Sequence, residues 1–198
     1  MKILGICGSH RKKENTFKAL KEALKASKAD TEIIHISDMD LEPCRACYDV
    51  CSLNPYTCVI EDDLHTMFEK MAAVDGIILA SPLYSPVLVP SRLAVLMERL
   101  SCIHFFESLR REGEDKGEAP LSGILCGIIA VSGGSEPGGL LKLLANFVLM
   151  LHMEVVTVKD YPYFGVWVKS PAEKDVKGLT CAQGLGELLA VRGDQVRQ

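Results

Sequence analysis

No run of about 18 consecutive apolar residues occurs in this 198-residue chain, so no segment reads as a membrane-spanning helix. The opening MKILGICGS has neither the long apolar stretch nor the small-residue cleavage site of a secretory leader, and cytoplasm is the expected compartment. An excess of basic charge is also missing. With 22 Lys and Arg against 26 Asp and Glu, the net charge is −4, and electrostatics give no reason to expect nucleic acid as a partner. Internal repeats and low-complexity segments are absent. Neither GxGxxG nor GxxxxGK[ST] occurs, which disfavours a dinucleotide fingerprint or an NTPase phosphate loop, and no nicotinamide motif is recognisable. The expected partners therefore include neither nucleic acid nor a membrane.

What is present is ample material for a core: 48% of residues are hydrophobic. Apolar strand-like runs alternate with helical patterns. Lys2 to Cys7, Thr31 to Ile36, Gly76 to Ala80, Leu121 to Val131 and Val155 to Val158 read as strands. Asn15 to Lys28, Asp62 to Met71, Ser91 to Leu100, Gly138 to His152 and Leu179 to Val191 read as helices. Phe17, Leu20, Ala23 and Leu24 share one helical face, and Pro90 suits a first helical position. Residues 107–120 read as an exposed loop, and Tyr161 to Lys169 as aromatic and irregular. Repeated βαβ units imply an α/β fold. The expectation is one flavodoxin-like, doubly wound domain over residues 1–198: a five-stranded parallel sheet in order 2-1-3-4-5 with helices on both faces. A cysteine-rich insertion at about 38–62 and a C-terminal extension from about 160 complete it.

In such a sheet, ligands bind beyond the carboxyl ends of the strands. Three of those ends carry suitable loops. GSHRKKENT, Gly8 to Thr16, joins a strand to a helix; its hydroxyls, backbone N–H groups and helix N-terminus suit a phosphate, and Arg11 adds a cation. SPLYSP, Ser81 to Pro86, offers a stiff backbone and the ring of Tyr84. SGGS, Ser132 to Ser135, has two glycines that let backbone approach a flat ligand. Each alone reads equally as an ordinary turn. Together they follow strands one, three and four, whose ends the 2-1-3-4-5 order gathers.

Four of the eight cysteines fall in CRACYDVCSLNPYTC, with spacing Cys44-x2-Cys47-x3-Cys51-x6-Cys58. In a reducing compartment such thiols are metal ligands or redox groups rather than disulfides. Four thiolates suit a cubane cluster or tetrahedral zinc. The segment leaves the second strand, so the cysteines are expected at the ligand edge. Cys7, Cys102, Cys126 and Cys181 read as small residues in apolar or helical settings. His35, His65, His104 and His152 are scattered and read as surface or satisfied histidines.

GICGSHRKKENT, the cysteine cluster followed by CVIEDDL, DGIILASPLYS and AVSGGSEPGG together resemble the iron–sulfur flavoproteins, within the flavodoxin-like NAD(P)H-dependent FMN reductases. The resemblance runs in order over roughly residues 1–170. It implies non-covalent FMN, with phosphate contacts at Ser9, Arg11, Asn15 and Thr16. Ring-side contacts would come from Pro82, Leu83, Tyr84 and Ser85, then Ser132, Gly133 and Gly134. It further implies a 4Fe–4S cluster on Cys44, Cys47, Cys51 and Cys58, a redox partner such as ferredoxin or NAD(P)H, and a homodimer or homotetramer. No general acid or base is assigned, because flavin chemistry belongs to the cofactor. The chain departs from the family pattern twice: Ser9-His10-Arg11 stands where Ser-Pro-Arg is usual, and three residues rather than two separate Cys47 from Cys51. Two other readings stay open. One is an FMN-dependent NAD(P)H reductase of quinone, azo or nitro acceptors without a cluster. The other is a zinc-bearing flavin-binding or interaction protein without turnover. The aromatic stretch Tyr161, Tyr163, Phe164 and Trp167 is assigned either to an interface, to a flavin cover or to packing.

Overall fold

A computed structural model describes residues 1–53, 56–84, 88–110, 119–158 and 164–196. In chain order its elements are β1 (Lys2–Cys7), α1 (Asn15–Ser27), β2 (Asp30–His35), α2 (Tyr48–Leu53), α3 (Leu64–Ala72), β3 (Gly76–Pro82), α4 (Ser91–Arg110), β4 (Leu125–Ser132), α5 (Gly138–Met150), β5 (Glu154–Val156), β6 (Val166–Lys169) and α6 (Val176–Val196).

All strand pairs are parallel, in the order β2-β1-β3-β4-β5. This is the flavodoxin-like order. The sheet has six strands rather than five, because β6 also pairs with β4. β5 takes the first half of β4, at Leu125 to Gly127, and β6 takes the second half, at Ile129 to Ser132. Residues 166–169 were expected to be irregular. Val166 and Val168 are fully buried and alternate with Trp167 and Lys169, the two-residue period of a half-buried strand.

β3 and β4 are buried along their whole lengths, as a parallel sheet covered on both faces requires. Successive side chains point to opposite faces. Ile3, Ile78, Leu125 and Ile129 therefore pack with Leu20, Leu24, Leu185 and Leu189 of α1 and α6. Leu4, Ile6, Ile77 and Leu79 pack with α3, α4 and α5, through Met67, Met71, Leu93, Leu96, Leu140 and Leu144. Each fully buried Leu or Ile contributes about 1.5–3 kcal/mol. The two helices of the first layer come into close contact. A Cβ at Gly186 of α6 would stand 1.9 Å from the carbonyl oxygen of Ala23 in α1, so only glycine fits there.

Several boundaries differ from the sequence expectation. Residues 120–123 form a turn, and the fourth strand starts at Leu125. The helix expected over 91–100 runs on to Arg110, and the last helix spans Val176–Val196. The polar stretch at 111–118 lies outside the described residues, as do Ser85, Pro86, Tyr161 and Tyr163. The cysteine segment contains a helical turn, α2, where a loop was expected.

Candidate cofactor and cysteine sites

The phosphate-loop candidate is held by packing at both ends. A Cβ at Gly8 would lie 2.7 Å from Leu93 Cδ2 and 3.2 Å from the Ala80 carbonyl oxygen. The Gly8 N–H donates to that same carbonyl at 2.8 Å. Ser9 is buried, and its Oγ accepts the Arg11 N–H at 3.1 Å. Thr16 is buried in the first turn of α1. That turn has no acidic side chain and no side-chain cap, so no carboxylate of its first turn competes for an anion there. The flank is basic: Lys12, Lys13, Lys18, Lys21 and Lys25 help line a groove of about 820 Å³ along α1. Lys12 pairs with Asp38, and Lys18 with Glu173.

Asn15 is engaged at both ends of its amide. Its Nδ2 donates to Ser170 Oγ at 2.8 Å, and its Oδ1 accepts the Ala172 N–H at 2.8 Å. It therefore ties the start of α1 to the chain just after β6.

The three loops meet. The His10 and Tyr84 rings are edge-on with centroids 6.1 Å apart, so the first and second loops touch. The Leu83 N–H donates to the Val131 carbonyl at 2.8 Å, joining the second loop to the end of β4. Pro82 closes β3 within the buried core of the sheet. Tyr84 is partly exposed and bridges to Leu88 across the residues between them. In the third loop, Ser132 Oγ accepts from Trp167 Nε1 at 2.8 Å and donates to the Ser135 carbonyl at 2.6 Å. Gly133 and Gly134 face open space: nothing stands within 4 Å of where a Cβ would sit on either. A flat ligand can approach that backbone closely. Trp167 is the contributor that sequence reading left unplaced; the indole supports Ser132 because β6 lies beside β4.

The cysteine segment leaves β2 and closes on itself at its base. Asp63 accepts the Asp40 N–H at 2.7 Å and Asp62 accepts the Glu42 N–H at 2.9 Å, while the Asp63 N–H donates to the Asp40 carbonyl at 3.1 Å. At the opening of the helix read from Asp62, two carboxylates suit its positive end. Asp62 does accept the Leu64 N–H at 3.1 Å at the start of α3, but both carboxylates chiefly pin the segment.

From there the segment runs along α4. Arg92 near its start donates to the Met39 carbonyl at 2.7 Å. Further along, Glu98 accepts the Cys44 N–H at 3.3 Å, and the Cys44 and Cys102 sulfurs are 3.7 Å apart. At about 1.5 Å per residue, the cysteines lie about 10–15 Å along the helix from Arg92. They flank the sheet beside α4 rather than sitting at the strand ends where the sequence placed them. Burial, and after it Cys44, push the Cys102 thiol up to about 12. Cys102 was taken for a packing residue; its spacing to the other cysteines gave no sign of this neighbour.

Cys44 and Cys47 are half-buried, Cys51 and Cys58 buried, and all four are free thiols. Burial first, then Cys47, Cys58 and Cys44, push the Cys51 thiol upward. The x3 gap has a structural reason. The Cys51 N–H donates to the Cys47 carbonyl at 3.3 Å, one helical turn away, and residues four apart share a helix face. Ala46 takes a left-handed backbone, φ +53°, which turns its N–H towards Cys44 Sγ at 3.4 Å. The buried Arg99 of α4 donates to Cys58 Sγ at 3.2 Å. Among the described residues, no three or more Cys, His, Asp or Glu side chains are gathered as they would be around a metal ion. Also among the described residues, no helix is long and apolar enough to cross a membrane.

Residues 1–168 match the family described as NADPH-dependent FMN reductase. An iron–sulfur flavoprotein of Methanosarcina thermophila is 35% identical over 186 residues, covering 90% of this chain and 88% of its own. One of Methanocaldococcus jannaschii is 34% identical over 201 residues, covering 96% of each. Among solved structures, RosB with a bound 8-demethyl-8-formylriboflavin-5'-phosphate intermediate aligns with a TM-score of 0.73 at 15% identity, over 100% of this chain and 80% of RosB. A flavodoxin from the domain Archaea aligns at 0.57 and 14% identity, over 98% and 99%. These two likenesses speak for the fold, whereas the sequence matches reach further: the chain belongs to the iron–sulfur flavoproteins of the NADPH-dependent FMN reductase family.

Proposed function

We propose that this protein is an FMN-containing electron-transfer flavoprotein. It would carry a 4Fe–4S cluster on Cys44, Cys47, Cys51 and Cys58 and exchange electrons with an external partner such as ferredoxin or NAD(P)H. Family membership makes it a flavin-binding oxidoreductase. The residues at the three loops fit FMN. The start of α1, whose N-cap Glu14 makes no side-chain cap and whose first turn carries no carboxylate, suits the phosphate together with Ser9, Arg11 and Thr16, and the open backbone at Gly133 and Gly134 suits the ring. Leu83 and Tyr84 lie between them, and Ser85 follows. When bound, FMN supplies the conversion between two-electron and one-electron transfer. The chain's part is to bind, orient and shield: Gly8 and Asn15 fix the loop, and Trp167 fixes Ser132.

The observation that carries the cluster assignment is geometric: Cys47 and Cys51 stand on one helical turn, and N–H groups point at Cys44 Sγ and Cys58 Sγ of the same segment. The donor set is all thiol, and it has N–H donors aimed at two of its sulfurs, from Ala46 and Arg99. A cubane cluster takes one thiolate per iron, while zinc draws four sulfurs to about 2.3 Å from one point. When present, the cluster supplies single-electron storage.

The test is anaerobic purification with iron, acid-labile sulfide and flavin analysis. The expected result is four irons, four sulfides and one heat-released FMN per chain. Stoichiometric zinc without iron uptake would sink the cluster. Steady NAD(P)H oxidation by iron-free Cys47→Ser would favour a cluster-free reductase of quinone, azo or nitro compounds. Light scattering should give a homodimer or homotetramer. In such an assembly a second copy's flavin would serve cysteines that stand along α4 rather than beside their own loops.

A further inference from the structure

Among the described residues, Arg99 on α4 is the largest buried polar side chain, 1% exposed. Its guanidinium is spoken for on both arms. Nη1 donates to the Glu42 carbonyl at 2.7 Å and to Asp62 Oδ2 at 2.6 Å. Nη2 donates to Asp62 Oδ1 at 3.2 Å and to Cys58 Sγ at 3.2 Å. The two-toothed pairing with Asp62, itself held by the Glu42 and Leu64 N–H groups, fixes the plane of the fork. That fixed plane leaves one N–H of a permanent cation aimed at a sulfur. The planar fork gives this geometry; a Lys ammonium is a single point and does not reproduce it. A structural pair alone would need only the carboxylate and the carbonyl.

We propose that Arg99 and Asp62 form a charge pair that sets the reduction potential of the group bound through Cys58, with Arg99 raising it and Asp62 lowering it. This rests on the cluster reading given above. The step concerned would be transfer of one electron to the oxidised cluster from an external one-electron donor, a reduced ferredoxin or, in a redox titration, dithionite, which is oxidised in turn. No bond to the cluster is made or broken and no proton moves. The reduced form is more negative by one charge. A donor cation against a ligating sulfur therefore favours the reduced form, and the carboxylate behind it favours the oxidised form. The effect is strong because the pair is buried, where charges are screened least. Arg99 is thus a positioning and tuning residue for the cluster.

The test is an anaerobic redox titration of the iron- and sulfide-reconstituted holoprotein, with dithionite as reductant and dye mediators. The cluster is followed by electron paramagnetic resonance and the FMN by its visible bands in the same sample. Arg99→Gln should lower the reduced-to-oxidised ratio of the cluster at fixed potential at least tenfold, about 59 mV for a one-electron couple. Asp62→Asn should raise that ratio, and Arg99→Lys should lower it less than Arg99→Gln. The FMN potential should stay constant throughout. Opposite signs separate tuning from general damage to the fold, which would move both variants alike. Should Arg99→Gln fail to hold iron, the Lys and Asn variants give the same sign test. Equal potentials, or shifts in one direction for the Arg99 and Asp62 variants that hold the cluster, overturn the proposal while leaving the cluster reading intact. A wild-type chain that takes up no iron and sulfide removes the reading on which the proposal rests.

Discussion

The eight cysteines divide by surroundings, and their chemistry follows. Cys126 is enclosed in β4, and burial pushes its thiol up to about 12; Cys7 in β1 is pushed up for the same reason. A thiolate is the nucleophile, so neither should react in the native protein. On the folded iron-free protein, iodoacetamide at pH 8 followed by peptide mass mapping should leave Cys7 and Cys126 unmodified and label Cys47. Modification of Cys126 without unfolding would contradict its burial. Asp62 makes a second residue-scale prediction. Burial alone would raise its carboxyl, but hydrogen bonds from Arg99, Glu42 and Leu64, together with the Arg99 charge, hold it below the ordinary carboxylate value. A lowered folded value means that the stabilisation is fully present above the unfolded value of about 4 and is lost as pH falls through the folded one. Asp62→Ala, which leaves Arg99 buried and uncompensated, should cost about 3–5 kcal/mol at pH 7 by urea denaturation. The difference from wild type should shrink as the pH is lowered below about 4. At this scale the sequence also explained less than it seemed to. His10 stands where proline is usual, and its ring meets Tyr84, a contact that needs the second loop's position.

Elements were legible where their periodicity was unbroken. The strands Lys2–Cys7 and Gly76–Pro82 and the helix Gly138–Met150 stand close to where apolar pattern and turn residues put them. The misses share a cause. β6 is four residues long and exists because β4 extends past β5 and offers an unpaired edge from Ile129 onward. No local signal in GVWVKS announces such an edge. The run of α4 beyond Leu100 was likewise hidden, since its later turns carry mixed polarity. Helix contacts give a test at this scale. Gly186→Ala would place a methyl group 1.9 Å from a backbone oxygen of α1, and backbone cannot yield as a side-chain tip can. The helices must separate, at a cost of about 1–3 kcal/mol. A melting temperature several degrees lower, with FMN content unchanged, is the expected result. Gly184, where nothing lies within 4 Å, serves as the control: Gly184→Ala should be neutral or slightly stabilising.

For the whole molecule, the loops proposed for FMN and the segment that holds the cysteines hang from one sheet but from different parts of it. FMN should stabilise the fold by binding the native state alone. At a hundredfold excess over its dissociation constant the gain is about 2.7 kcal/mol, seen as a higher melting temperature than in flavin-stripped protein. If the loops are the site, Gly133→Val should abolish most of that shift while leaving the stripped protein's melting temperature unchanged, because the Cβ position is empty. If wild type and Gly133→Val shift equally with FMN, the flavin binds elsewhere.

The sequence by itself determined the parallel α/β class, the three loops after strands one, three and four, and the four clustered cysteines. These depend on local chemistry: period, turn residues and spacing along the chain. It also named Ser9, Thr16 and Gly133, whose surroundings suit a phosphate and a ring. Only the tertiary structure decided where the cysteines stand, because their place is set by Glu98, Arg99 and Cys102 on a helix some forty or more residues away. It decided likewise that Asn15 clamps Ser170 and Ala172, and that Trp167 braces Ser132. Such contacts join residues distant in sequence, and no pattern within either segment encodes the other's position.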